Sequence, residues 1–400
     1  MGADVISGSQ GSPGALARHY TRFRVSERIL LTGHSHQAWP DVAFEGQVEA
    51  WNDAAELADE KWGRAAEKAD RVRRGFARLL GGNPEEVALG ANTHELVVRF
   101  LSALPLRERP RLVTTDGEFH SIRRQLDRLA EDRLLEVVKV SVDPPDAIAE
   151  RLVAVVDGRT SAVLASSVLF SNAAIVPGLG SVAAACRRHG AELLVDAYHH
   201  LNVVPFSLEG EGLGEAFVVG GGYKYCQLGE GNCFLRVPSH ARDYRPLITG
   251  WFGEFAHLTG RAAGRVPYAE GPDRWAGATY DPTSHYRAAR VFDFFEAQKL
   301  TPERLREISR HQVGLLAKRF DELDLDRRRI ARDASTPLHR IGGFLALQSP
   351  HAADVCRRLR QRAVWTDYRG ELLRMGPAPY LEDEQLERAV RELGEIAPER

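Results

Sequence analysis

The chain has 400 residues, 44% of them hydrophobic and 27% charged, with a formal net charge of −2. That length exceeds what one simple core takes, so one large and one smaller domain are expected. The balanced charge gives no basic footprint for nucleic acid, and no apolar run is long enough to span a membrane, so neither partner is expected.

The opening MGADVISGSQGSPGAL lacks the basic start and apolar stretch of a secretion signal. It reads as a loose tail over residues 1–15 of a cytoplasmic protein, and Ser7 lies one position beyond the site of a myristoylation signal. Cys186, Cys226, Cys233 and Cys356 form no CxxC pair, which fits reduced cytosolic thiols. The expected division is a tail and arm over 1–42, a large domain over 43–286 and a small C-terminal domain over 287–400.

Residues 43–80 predict helix, rich in Ala, Glu, Lys and Arg with apolar residues at helical spacing. Asn83 to Gly90 reads as a turn and a short buried segment. ANTHELVVRFLSAL then opens a helix with Asn92 and Thr93 at its mouth. Strands and helices alternate after that. RLVTT, LEVVKVSV, SAVLASSVLF, AELLVDAYHH and AFVVGGG read as strands, and SIRRQLDRLAED, DAIAERLVAVV and LGSVAAACRRHG read as helices. Their continuous apolar runs indicate strands buried on both faces. The pattern predicts an α/β fold with a mainly parallel sheet sandwiched by helices. Beyond 287, long amphipathic helices alternate with the short strand candidates GGFLALQ and LLRMGP, which predicts a smaller α+β domain.

The segment GGGYKYCQLGEG, Gly220 to Gly231, holds the residue of most chemical interest. Lys224 has two readings. It is either surface charge on a turn, or an amine shielded by Tyr223 and Tyr225 where three glycines let the backbone approach another group. A desolvated lysine gives up its proton and becomes a nucleophile, as Schiff-base formation requires. Asp196 closes a buried strand 28 residues earlier. It is either a cap or structural ion pair, or the partner of a protonated pyridine nitrogen. His199 is either a loop histidine or a contact to the phenolate side of such a ring. Asn92 and Thr93 lie where helix amides and dipole favour a phosphate, but any N-cap has the same appearance. In EFHS, Phe119 and His120 both offer a ring face, for stacking or for the core. His34 with His36, and His199 with His200, lack helical spacing and a completing cysteine or carboxylate, so no metal is expected.

Taken together, the order Thr93, Phe119, Ser166, Asp196 with His199, then Lys224 resembles that of the fold type I pyridoxal-phosphate enzymes. Within them the chain resembles the kynureninases of the aminotransferase class V group, over roughly residues 28–395. The shared features are a tyrosine directly before the lysine, GWFG (Gly250 to Gly253), DYRGELLRMGPAPYL near the C-terminus and GHSHQAWP (Gly33 to Pro40). The resemblance implies pyridoxal 5'-phosphate as a Schiff base on Lys224, with Asn92, Thr93, Ser166, Tyr223, Trp251 and Thr279 around its phosphate and ring. It implies Phe119 stacked on the ring, Asp196 on the pyridine nitrogen, His199 on the phenolate side and Tyr223 as proton donor. Arg374 would take the substrate α-carboxylate as a bidentate fork, with His36 on the substrate side. It further implies a homodimer in which Trp251 and Thr279 reach the neighbouring subunit's site.

The implied reaction on an amino-acid substrate is hydrolytic Cβ–Cγ cleavage of kynurenine, 3-hydroxykynurenine or a relative, giving alanine and an aryl acid. The alternative is a lyase, cyclase, epimerase or aminotransferase on the same fold. A desulfurase would need a mobile cysteine, whereas Cys356 lies in a predicted helix. Substrate-side departures from the family pattern are Glu230 in place of a proline, Ser171-Asn172 in place of a basic residue, Glu254 in place of a histidine, and ATYDPTSH (Ala278 to His285).

Overall fold

The computed structural model describes residues 13–257 and 264–396. Most of the tail assigned to 1–15 lies outside these residues. At its end the expectation fails, because the chain is already helical in α1 (Pro13–Ala17). Leu16 and Tyr20 are fully buried there, and their apolar surface ties the segment down. A short strand β1 (Ile29–Leu30) follows. The predicted helix over 43–80 is two helices, α2 (Val42–Leu57) and α3 (Lys61–Leu80), separated where Ala58 takes a positive φ of 48°. Gly81 ends α3 in the left-handed conformation that glycine adopts without a Cβ penalty.

The alternation then appears in order: β2 (Val87–Gly90), α4 (Thr93–Ser102), β3 (Arg111–Thr115), α5 (His120–Glu131), β4 (Glu136–Val140), α6 (Ile148–Val155), β5 (Thr160–Ser166), α7 (Leu179–His189), β6 (Glu192–Asp196), β7 (Phe217–Gly221) and β8 (Cys233–Arg236). The strands form one sheet in the order β2-β8-β7-β6-β5-β3-β4. All neighbours pair in parallel except β8, which is antiparallel to both β2 and β7. Strands β5 and β7 are buried along their whole length, which accounts for their unbroken apolar runs.

Strand β8 was not anticipated. Its four residues leave no periodic signal, and it depends on a reversal that Gln227, Gly229 and Gly231 make with positive φ. Two strands are shorter than their apolar runs. Strand β5 stops at Ser166, and beyond Asp196 the chain turns, with the His200 amide donating to the Ala197 carbonyl.

The C-terminal part begins with α8 (Thr283–Ala297), which packs on α2 and α3. Then come α9 (Pro302–Glu322), capped by Thr301, and β9 (Ala331–Arg332), β10 (Leu345–Gln348), α10 (Ala352–Gln361), β11 (Val364–Trp365), β12 (Asp367–Arg369), β13 (Leu372–Met375) and α11 (Asp383–Ile396). A four-stranded antiparallel sheet, β12-β13-β10-β9, carries this part. Strand β1 pairs in parallel with β11, and Thr32 bridges to Gly376. The N-terminal arm is thereby sewn to the C-terminal sheet, which carries His34 to the strand that holds Arg374.

Candidate active site

In the sheet register Ser166 lies opposite Asp196, and Asp196 opposite Val219, so β5, β6 and β7 end side by side. The carboxyl edge of an open parallel sheet is where such folds present their loops to ligands. Here those loops carry Glu118, Phe119, Tyr198, His199 and Lys224.

Lys224 is only 4% exposed. Its Nζ lies 3.9 Å from the centroid of the Tyr198 ring, 4.9 Å from that of Tyr223 and 5.2 Å from that of Phe119. Among the described residues it meets no hydrogen-bond acceptor. Burial lowers the amine from its usual 10.5 to about 7, against the opposing pull of Asp196. The surface-charge reading therefore fails for this lysine.

Asp196 is buried, and its Oδ1 accepts the Tyr198 amide proton at 2.8 Å. Burial raises its pKa, while the Tyr198 amide and Lys224 act the other way. His199 is buried beside it with Nδ1 unpartnered, and burial holds the imidazole neutral, well below its usual pKa. Phe119 faces the amine, whereas His120 turns aside to Arg123 at 3.1 Å, so Phe119 has the ring-facing position of the two.

Thr93 is buried at the mouth of α4, with its hydroxyl 3.4 Å from Ser121 Oγ. The Thr93 amide reaches the Cys233 thiol, which also lies within the field of Lys224. Asn92 follows the plainer of its two readings. Its Oδ1 accepts the Glu95 amide proton at 2.9 Å and its Nδ2 donates to Glu95 Oε1 at 3.0 Å, so the side chain caps α4.

Tyr223 is half-buried, and burial raises its hydroxyl to about 12. His36 stacks on its ring at 5.4 Å and lies largely exposed, 4.0 Å from Glu230. His36 and Glu230 thus form part of the rim.

Arg374 is 2% exposed, and its fork is engaged. Nε and Nη2 donate to the two oxygens of Asp367 at 2.8 and 2.6 Å, and Nη1 donates to the Phe170 carbonyl at 2.6 Å. His34 Nε2 meets the same carboxylate at 2.8 Å. Burial alone would raise Asp367, but His34 and Arg374 together hold it well below the usual carboxylate range. The bidentate face expected to receive a substrate carboxylate is filled by this chain's own aspartate.

Trp251 and Thr279 do not join the Lys224 cluster within one chain: Trp251 is exposed against Phe252 and Phe255, and Thr279 is exposed. Tyr280 and His285 pack on each other, and the half-buried Trp39 packs on Phe23. The three glycines do not open room for another group. A Cβ at Gly220 would meet Phe234, at Gly221 Tyr198 and Cys233, and at Gly222 Leu228. The space they spare is taken by the chain's own side chains.

A pyridine ring with an aldehyde, a phenolic oxygen and a ring nitrogen needs an unpaired amine, an aromatic face, a donor or acceptor for the oxygen and a buried carboxylate. Lys224, Phe119, the orphaned Nδ1 of His199 and Asp196 supply these, so the residues present fit pyridoxal phosphate. Residues 305–393 match the sequence model of the kynureninase C-terminal domain. Over that segment the chain resembles the kynureninases, and its fold is that of the fold type I pyridoxal-phosphate enzymes. A kynureninase of Xanthomonas campestris is 30% identical over 199 residues, 46% of this chain and 45% of the relative. An uncharacterized aminotransferase of Bacillus subtilis, YcbU, is 23% identical over 335 residues, 83% of this chain and 85% of the relative. The solved structure of the cystine C–S lyase C-DES in a mutant form, with glycine linked covalently to its pyridoxal-phosphate cofactor, superimposes with a TM-score of 0.81. It covers 94% of this chain and 98% of that one, at 15% identity.

Three residues of the site escaped the sequence reading. Tyr198 lies closest to Lys224 of the three rings, Asp367 fills the Arg374 fork, and Glu118 is a second buried carboxyl beside Asp196. The signal for Glu118 was available: a glutamate directly before Phe119, after a buried strand.

Proposed function

We infer that the protein is a pyridoxal-phosphate enzyme acting on an amino acid, by kynureninase-type hydrolytic Cβ–Cγ cleavage that yields alanine and an aryl acid. The observation that carries this reading is the buried amine of Lys224, walled by Phe119, Tyr198 and Tyr223 and set beside Asp196. The match of residues 305–393 to the kynureninase C-terminal domain supports the choice of reaction.

Lys224, Phe119, Asp196, His199, Ser166 and the α4 mouth at Thr93 would hold the cofactor. When bound, pyridoxal phosphate supplies an electron sink for negative charge at the substrate Cα. Lys224 would anchor it covalently and, once displaced by the substrate amine, carry the proton at Cα. An amine pKa of about 7 suits it to take and return a proton at neutral pH. Asp196 would sit on the pyridine nitrogen, its charge compensated by the proton it faces. The phenol of Tyr223, kept protonated by burial, is a donor for the oxygen of the γ-carbonyl as water adds there. Phe119, Tyr198 and Tyr223 keep bulk water from the amine. Trp251 and Thr279 would complete the site from a second subunit, and Arg374 would reach the substrate carboxylate only through the N–H groups that Asp367 and the Phe170 carbonyl leave over.

A second reading, a lyase, cyclase, epimerase or aminotransferase, is supported by the likeness over 83% of this chain to the Bacillus subtilis aminotransferase. A desulfurase is not favoured. Burial raises the Cys186, Cys226 and Cys233 thiols to about 12, and Cys356, inside α10, donates its Sγ–H to the Thr366 carbonyl.

Incubation of the reconstituted enzyme with L-3-hydroxykynurenine tests the reading. Alanine and the aryl acid should appear in equal amounts, and Lys224→Ala should slow their release by about 10²–10⁴-fold. A cofactor spectrum that responds to amino acids without release of an aryl acid would reject the hydrolytic reaction and favour the second reading.

A further inference from the structure

Glu118 lies in the loop between β3 and α5, 1% exposed, with no role in the mechanism above. Its hydrogen bonds have a readable direction. The Gly117 amide donates to Thr115 Oγ1 at 3.2 Å, so the Thr115 hydroxyl sends its own proton to Glu118 Oε1, at 2.6 Å. The Ser166 amide donates to the same oxygen at 3.1 Å. Oε1 is therefore an acceptor twice over. Any proton on Glu118 sits on Oε2, which lies 2.6 Å from Ser166 Oγ.

The charged groups near Glu118 favour that proton. Asp196, at the end of the adjacent strand β6, is a second carboxyl that repels a charge on Glu118. Lys224 acts on Asp196 from the turn beyond β7. Burial is the largest influence and, with Asp196, outweighs the bonds from Ser166 and Thr115, lifting the Glu118 carboxyl from 4.5 to about 7.

The geometry points to Glu118 as a positioning residue: protonated on Oε2, it donates to Ser166 Oγ and so turns the Ser166 hydroxyl proton outward, as a donor toward the cofactor. A hydroxyl that accepts from Glu118 has its own proton free for another partner. When Glu118 ionises, Oε2 draws that proton back, and Ser166 offers the site only lone pairs. The carboxyl acts through Ser166 and never touches the reacting atoms. Its outward effect rests on the cofactor reading; the direction of the Glu118–Ser166 bond does not.

Two measurements on the full chain test it. Infrared difference spectra of wild type against Glu118→Gln, between about pH 5 and 9, should show a protonated-carboxyl stretch in the wild type that fades through about pH 7 and is missing from the variant. Its absence from the wild type at the acid end overturns the proposal with or without cofactor. The second measurement is absorbance after reconstitution with pyridoxal phosphate. The wild type should show a spectral component titrating near pH 7 that both Glu118→Gln and Ser166→Ala lack. The spectrum of Glu118→Gln should match the acid end of the wild type, because its amide nitrogen donates to Ser166 in the same direction. A merely structural role for Glu118 would change thermal stability and leave the two pH profiles superimposable, and superimposable profiles overturn the proposal. Ser166→Ala keeps the comparison open should Glu118→Gln not fold. A carboxyl signal without any cofactor band would reject the cofactor reading and leave the direction of the Glu118–Ser166 bond established.

Discussion

Lys224 costs the fold what it supplies to the site. Its amine is lowered from 10.5 to about 7, chiefly by burial, so the folded apoprotein binds its proton less tightly than the unfolded chain. Relative to the unfolded chain, stability therefore falls as pH drops from about 10.5 to 7, and changes no further below that. Lys224→Met should therefore stabilise the apoprotein at pH 7 by on the order of 2 kcal/mol, with the gain shrinking toward pH 10; urea melts at several pH values measure it. An equal gain at both ends would mean that the amine is not desolvated. Arg374 makes the opposite case. It shares a buried, bidentate pair with Asp367, and Asp367→Ala strands its charge, so a loss of about 3 kcal/mol is expected in the same melts. Lys224, Asp196 and Phe119 were legible in the sequence because strand ends and glycine turns mark them. Asp367 was not: it stands seven residues before Arg374, but it meets the fork only because β12, which no pattern announced, pairs with β13 in a register that sets Asp367 opposite Arg374. The fork of Arg374 was legible, but its occupant was not.

Helix α4 shows how an element prepares the site before anything binds. The Asn92 side chain closes a reciprocal cap with Glu95, and Thr93 follows it into the buried mouth. Asn92→Ala should cost about 1 kcal/mol of stability and weaken cofactor binding without moving the absorbance maximum, as equilibrium dialysis would register. A shifted maximum at unchanged affinity would instead make Asn92 a direct ligand of the ring. Strand β7 and its glycines make a second case. Gly221→Ala would press a methyl group within 2.4 Å of the Tyr198 hydroxyl and 2.6 Å of Cys233 Sγ, so a loss of stability should accompany displacement of Tyr198 from the amine. The parallel strands were legible because both faces are buried and their apolar runs are unbroken. Strand β8 was invisible because four residues and a reversal with positive φ leave no period to read. The split of α2 from α3 at Ala58 leaves no sequence signal either, since alanine is the strongest helix former.

At the scale of the whole molecule, the arm and the C-terminal sheet close over the strand ends through β1, β11 and the bridge from Thr32 to Gly376, which hold His34 against Asp367. Among the described residues no helix is long and apolar enough to cross a membrane. Leu247, Ile248, Trp251 and Phe255 are exposed apolar residues that a second copy of the chain would cover, as the proposed shared site requires. Sharing has a sharp consequence. Mixed and re-annealed Lys224→Ala and Trp251→Ala proteins should recover up to about a quarter of wild-type activity, because half of the pairs are hybrids and one of the two sites in each hybrid is intact. No recovery from exchanged subunits would place Trp251 outside the neighbouring site. All of this depends on Lys224 as the point of covalent attachment. The most direct measurement is borohydride reduction of the reconstituted protein, followed by proteolysis and mass spectrometry. A pyridoxyl-phosphate adduct is expected on the peptide containing Lys224, lost in Lys224→Ala. An adduct on another lysine, or none on a protein that has taken up the cofactor, would contradict it.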